Sequence, residues 1–137
     1  MSLEFPFEYA EIEGLGKLFY PIIRLQLYTT AGWQEFEFLV DTGADVTTVP
    51  AHLLPVIGLV KNRLPVNSTL GVGGISVRSW EFHIPVKIGQ KKINIRCSAV
   101  ETQVDSMPLL LGKKDIFEEK YSLVVDSKRK VTVLKEN

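Results

Sequence analysis

The sequence predicts an all-β domain, a small closed or partly closed barrel with one short helix near its C-terminal end. Three observations predict it. Apolar residues recur with a period of two through most of the chain, glycine or polar turns punctuate those runs, and only two short stretches break the period. With 137 residues, 45% of them apolar and 23% charged, the chain suits one domain, 1–137, with its core over about 18–135. That composition excludes disorder.

The elements follow in order. Residues 18–29, LFYPIIRLQLYT, and 33–40, WQEFEFLV, read as strands joined by a turn at Thr30-Ala31-Gly32. In the second, Phe36, Phe38 and Val40 alternate with Glu35, Glu37 and Leu39, as a strand with one buried face requires. Val46-Thr47-Thr48-Val49 is a β-branched strand. AHLLPVIG, 51–58, is interrupted by Pro55 and holds at most a turn or two of helix. A long antiparallel hairpin comes next. Trp80, Phe82, Ile84, Val86 and Ile88 alternate along 75–88, Gly89-Gln90 turns the chain, and Ile93, Ile95, Cys97 and Ala99 share a face of 91–100. KKDIFEEK, 113–120, is the expected short helix; YSLVVD, 121–126, and KVTVLK, 130–135, close the chain as a strand pair.

Charge and composition exclude several functions. The 16 basic and 16 acidic side chains cancel, leaving no excess to drive nonspecific binding of nucleic acid. The distribution is uneven: residues 1–50 carry eight acids against two bases, a balance of −6, and residues 51–100 a balance of +6. No apolar run approaches the ~20 residues of a membrane span, and the acidic start MSLEFPFEYAEIEG is unlike a secretory signal. The single cysteine, Cys97, excludes an internal disulfide and suits a reducing, cytoplasmic setting. His52 and His83 lack metal-ligand spacing and read as surface histidines, and Cys97 reads as a small core residue. No metal site is expected.

One stretch stands apart. In FLVDTGAD, 38–45, an apolar strand runs straight into Asp41-Thr42-Gly43, then Ala44-Asp45, and returns to a β-branched strand. An aspartate placed directly after buried residues is poorly positioned for solvent; alone, it would read as a turn residue capping backbone amides. Two further pieces appear downstream. Leu70-Gly71-Val72-Gly73-Gly74-Ile75 is a glycine-rich tip between extended segments, where backbone can approach a ligand closely. Leu109-Leu110-Leu111-Gly112 is a buried strand that must turn sharply.

These three motifs, in this order, resemble the retropepsin-like aspartic peptidases, whose pattern is an apolar-apolar-Asp-Thr/Ser-Gly-Ala loop, a glycine-rich flap, and apolar-apolar-Gly before a short helix. The likeness extends to Pro21-Ile22-Ile23-Arg24-Leu25 as first strand and covers roughly residues 20–117. It implies a retropepsin-like barrel active as a symmetric homodimer. Asp41 would be the catalytic residue, one of two carboxylates that share a proton because like charges so close cannot both ionise. Thr42 would bond across the two-fold axis, Gly43 would leave room for substrate backbone, and Ala44 and Asp45 would line the cleft. Residues 70–75 would form the flap, and Val49, Val72, Ile75 and Leu110 the pocket walls. The substrate would be an extended polypeptide, with no cofactor, nucleic acid or membrane partner.

The departures are specific. Retroviral enzymes carry an arginine just before the proline of the first strand, where this chain has Tyr20. Their helix begins Gly-Arg, whereas this one begins Gly112-Lys113, so Lys113 would meet Asp45 as a point charge without a bidentate fork. Both termini are longer than in those relatives. The alternatives are a catalytically silent module of the same fold that binds peptides or dimerises, and an unrelated small barrel.

Overall fold

The alternation of apolar and polar side chains becomes twelve strands in the computed structural model, which describes residues 2–70, 74, 76–102 and 107–137. In chain order they are β1 (Ser2–Pro6), β2 (Glu8–Ile12), β3 (Gly16–Tyr20), β4 (Ile22–Thr29), β5 (Gly32–Val40) and β6 (Thr47–Pro50). Then come β7 (Val66–Leu70), β8 (Ser76–Ile88), β9 (Lys91–Val100), β10 (Leu109–Leu111), β11 (Tyr121–Asp126) and β12 (Val131–Glu136).

Seven strands form the main sheet in the order β4-β5-β10-β6-β9-β8-β7. The sheet curls on itself, because β8 also pairs with β4 through Gln26↔Lys87 and Leu27↔Val86. Inside it, alternate residues along much of β4, β8 and β9 are dry. Ile23, Leu25 and Leu27 of β4 meet Phe38 of β5, Val86 and Ile88 of β8, and Ile95, Cys97 and Ala99 of β9. Burying a side chain of this size contributes roughly 1.5–3 kcal/mol, so this shared interior dominates the favourable side of folding. Two pairings in the sheet are parallel, β5 with β10 and β6 with β9. They bring the ends of β5, β6 and β10 to one place.

A second, three-stranded sheet is ordered β1-β12-β11, with Leu3 and Phe5 of β1 and Leu134 of β12 packed against the core. The N-terminal segment is therefore part of the fold, with β1 packed on the same core. The third sheet is the β2–β3 ribbon, registered from Glu8↔Tyr20 to Ile12↔Gly16. It divides what periodicity presents as one strand, 18–29: the chain leaves the ribbon at Tyr20, passes Pro21, which offers no amide hydrogen, and enters the main sheet at Ile22.

The expected C-terminal helix is replaced by a bend at Lys113 and consecutive turns over 114–120. Lys113 accepts from the amides of Ile116 and Phe117, at 3.1 and 2.9 Å, which closes one helical turn. Asp115 ends it. Its φ of 67° is left-handed, and its Oδ2 accepts the Arg96 amide of β9 at 2.8 Å. The helical residues lie instead in 3-10 turns at Ala51–Leu53 and Lys61–Arg63, the first where Pro55 had limited helix length. The 76–100 hairpin, its Gly89-Gln90 turn and the terminal strand pair stand as the alternation predicts. His52 and His83 are exposed, and Cys97 is fully buried.

Burial pushes the Cys97 thiol well up, holding it protonated. Native protein should therefore react with an aromatic disulfide reagent at pH 8 slower than unfolded protein, by about 10³-fold or more. A second outcome concerns acid. The Lys91 ammonium donates to Glu136 and holds that carboxylate below its usual 4.5, while its own pKa rises. A carboxylate with a lowered folded pKa stabilises above its unfolded value and loses that contribution as pH falls through the folded one. The melting-temperature gap between wild type and Glu136→Gln should be present at pH 7 and shrink once pH drops below 4.5.

Candidate functional site

Where β5 ends, the chain is held on both sides before it is released to solvent. Val40 donates to the Pro21 carbonyl at 2.9 Å, and Asp41 donates to the Leu111 carbonyl at 3.0 Å, extending the parallel ladder Leu109↔Phe38, Leu110↔Leu39, Leu111↔Val40. The loop then closes on itself. Ala44 donates to the Asp41 carbonyl at 3.1 Å, and the Gly43 amide donates to Asp41 Oδ1 at 3.1 Å. A Cβ on Gly43 would stand 3.3 Å from that same oxygen, closer than nine in ten real Cβ contacts, so glycine gives the carboxylate its seat. Asp41 is half-buried, while Thr42, Gly43 and Asp45 are exposed. One carboxylate oxygen is thus engaged by the loop at a protein surface.

The returning strand is anchored through residue 112. The Gly112 amide donates to Thr47 Oγ1 at 3.1 Å inside the core, and Thr47 itself is 1% exposed. A Cβ at Gly112 would lie 2.4 Å from both the carbonyl carbon and oxygen of Val46 and 2.8 Å from the Thr47 nitrogen. Those are backbone atoms with no room to retreat, so only glycine allows β10 to lie this close to the loop. Beyond it, Lys113 donates to the Ala44 carbonyl at 3.0 Å and Lys114 to the Asp45 carbonyl at 2.9 Å. The expected Lys113–Asp45 pair exists at 3.5 Å, but Asp45 is 93% exposed and such a pair contributes little. The backbone of 112–114, more than the lysine charge, braces the Asp41 loop. The role of Thr47 escapes a sequence reading, since a threonine in a β-branched run signals only strand propensity.

Directly paired residues share a face of a sheet, which sorts the pocket candidates. Leu110 pairs with Thr48 and Leu39, and Leu39 with Ile22; all four are half-buried on the outward face, beside the Asp41 loop. Val49, expected as a pocket wall, is 1% exposed and packs in the core. Strand alternation puts Thr48, one residue earlier, in the outward position. Gly71, Val72, Gly73 and Ile75 of the expected flap lie outside the described residues. Their flanks form an antiparallel ladder from Val66↔Trp80 to Leu70↔Ser76, and Gly74, at φ 78°, uses a left-handed conformation suited to glycine.

Residues 29–116 match the family model described as "gag-polyprotein putative aspartyl protease". No curated protein sequence matches the chain. Among solved structures, a retropepsin-like aspartic protease from Rickettsia conorii is similar over 98% of this chain and 92% of its own, at TM-score 0.62 and 20% identity. The retroviral protease-like domain of Ddi1 from Leishmania major aligns over 85% of this chain and 88% of its own, at TM-score 0.60 and 15% identity. EIAV protease, complexed with the inhibitor HBY-793, aligns over 69% of this chain and 82% of its own, at TM-score 0.53 and 19% identity.

Two substitutions test the brace. Gly112→Ala forces overlap with backbone and should cost about 3 kcal/mol or more, seen as a lowered urea midpoint. Thr47→Val keeps the volume but strands the Gly112 amide without its acceptor. Its expected cost is about 1–3 kcal/mol by the same measurement.

Proposed function

The chain belongs to the retropepsin-like aspartic protease family, and from that premise we propose that it is an aspartic endopeptidase whose catalytic unit is a homodimer. The observation that carries the proposal is that Asp-Thr-Gly occurs once in the 137 residues, with its carboxylate at an exposed loop. Water attack on a peptide bond through this chemistry needs two adjacent carboxyl groups. The second Asp41 then comes from a second copy across a two-fold axis.

Brought together, the two carboxylates share one proton, since both cannot ionise at such short separation. The ionised one takes a proton from a water held between them as the oxygen attacks the scissile carbonyl carbon. The protonated one donates to the carbonyl oxygen, and the resulting gem-diol collapses with proton transfer to the leaving amine. No covalent enzyme intermediate forms. The Gly43 amide, bonded to Asp41 Oδ1, holds the carboxyl plane. Among the described residues the Thr42 side chain is exposed with no hydrogen bond, which suits a contact made only with the second copy. Ala44 and Asp45 border the cleft and Leu110 forms part of an apolar wall. By the family resemblance, residues 70–75 act as a flap over an extended polypeptide whose main chain supplies most of the recognition. Among the described residues no helix is long and apolar enough to cross a membrane.

A peptide-library digest at pH 3 to 7 tests this reading. Wild type should cleave, and Asp41→Asn should lose about 10³-fold or more of turnover while sedimenting as the same dimer. Wild type that cleaves nothing yet binds a statine-type transition-state mimic would be the silent peptide-binding module instead. A strict monomer at micromolar concentration would sink the shared active site.

A further inference from the structure

A cavity of about 380 Å³ opens on the outward face of the sheet, between the β2–β3 ribbon and the strand that delivers Asp41. Ile22 and Leu39, with Pro108 just ahead of β10, give it apolar walls; Tyr20 closes one side, and Glu8 and Glu37 stand at its polar edge. Glu8, Tyr20 and Ile22 precede residue 29, where the match to the family model begins. That side of the cavity is built by the β2–β3 ribbon and the first residue of β4.

We propose that this cavity is a subsite for a basic side chain, Arg or Lys, of the polypeptide substrate. The inference rests on the peptidase reading above and adds a specificity to it. Position is the first argument. Leu39 and Glu37 precede Asp41 by two and four residues on one strand, and side chains two apart share its outward face. At ~3.3 Å per residue they lie about 7 and 13 Å back from the carboxylate. An extended peptide lying along this strand has nearly the same rise, so the side chain entering the cavity belongs to a residue about two to four positions from the scissile bond.

Chemistry is the second argument. One guanidinium nitrogen, Arg24 Nη2, serves both carboxylates, donating to Glu8 Oε1 at 2.6 Å and to Glu37 Oε1 at 3.2 Å. Two anions share one cation, leaving a net charge of −1 at the edge, within an N-terminal segment that carries −6 over residues 1–50. The second oxygen of each carboxylate keeps its acceptor capacity. Arg and Lys fit both parts of the cavity at once. Their methylene stems lie along Ile22 and Leu39, and their heads reach the surplus carboxylate. An acidic side chain would meet like charge, and a short polar one would leave the apolar walls wet.

The experiment compares peptides that differ at one position, Arg against norleucine, scanned over the four residues on each side of a cleaved bond. Wild type should favour Arg by about five-fold in kcat/KM at one of them, the effect of a partly exposed ion pair. That preference should weaken at 1 M salt. Glu8→Gln and Glu37→Gln, each nearly isosteric and singly made, should lower the Arg-to-norleucine ratio, and the double variant should bring it to about one. Binding of the same peptides to Asp41→Asn, followed by fluorescence anisotropy, reports the subsite independently of turnover. Wild type that cleaves both peptides equally well at every position, or a double variant that keeps the preference, overturns the subsite while the peptidase reading stands. Preferential binding by Asp41→Asn with no cleavage by wild type overturns the peptidase reading and leaves the cavity as a site for basic peptides.

Discussion

The approach of Gly112 to the peptide joining Val46 and Thr47 is the constraint on which the site depends. A Cβ there would sit 2.4 Å from backbone, so the contact exists only because residue 112 has no side chain. That closeness lets β10 fit between β5 and β6. From it follow the Asp41 bond to Leu111, the Gly112 bond to Thr47 Oγ1, and the bonds from 113 and 114 to the carbonyls of 44 and 45. Each is an ordinary hydrogen bond, contributing about 1 kcal/mol net. They are coupled, since displacing residue 112 would break them together.

The fold separates rigidity from reactivity. Groups with chemistry inside the barrel are kept silent: Cys97 is fully buried with its thiol held protonated, and Thr47 is committed to an amide. Groups that could act are delivered where parallel strands end, as far as Asp41 with one oxygen already engaged. The three-stranded terminal sheet joins the first and last strands over the same core, so both ends of the chain contribute to holding the interior dry.

The uneven charge distribution also acquires meaning in three dimensions. Acids of the first 50 residues find bases distant in sequence: Glu4 with Arg129 and Asp45 with Lys113. Arg24 is the local exception, and it must serve two carboxylates. On the basic half, Lys87 and Lys92 lie over the Trp33 ring at 4.4 and 5.9 Å, where cation and quadrupole attract. A neutral total thus conceals one surplus carboxylate beside Arg24, next to the strand that leads to Asp41.

Much of the architecture is legible in the residue order because strand alternation is local. Ile93, Ile95, Cys97 and Ala99 announce a buried face without any partner being known, and Gly89-Gln90 announces its turn. The Asp41 loop, the glycine-rich hairpin and Leu110-Leu111-Gly112 are likewise contiguous signals. What depends on contacts between distant segments is not written in any one of them. Pro21 divides a run that alternation presents as one strand, because residues 16–20 pair with 8–12 and not with the main sheet. Asp115, at left-handed φ and bonded to the Arg96 amide, interrupts what the sequence presents as a helix, and Val49 turns inward while Thr48 turns out because β9 and β10 set the register of β6. The sequence by itself determined the strand class, the core face and the place of the Asp-Thr-Gly loop, all consequences of short-range periodicity and turn chemistry. Tertiary structure alone decided which glycine braces the loop, which threonine holds it, and which residues of the N-terminal ribbon stand beside Ile22 and Leu39, because each is a contact between segments far apart along the chain.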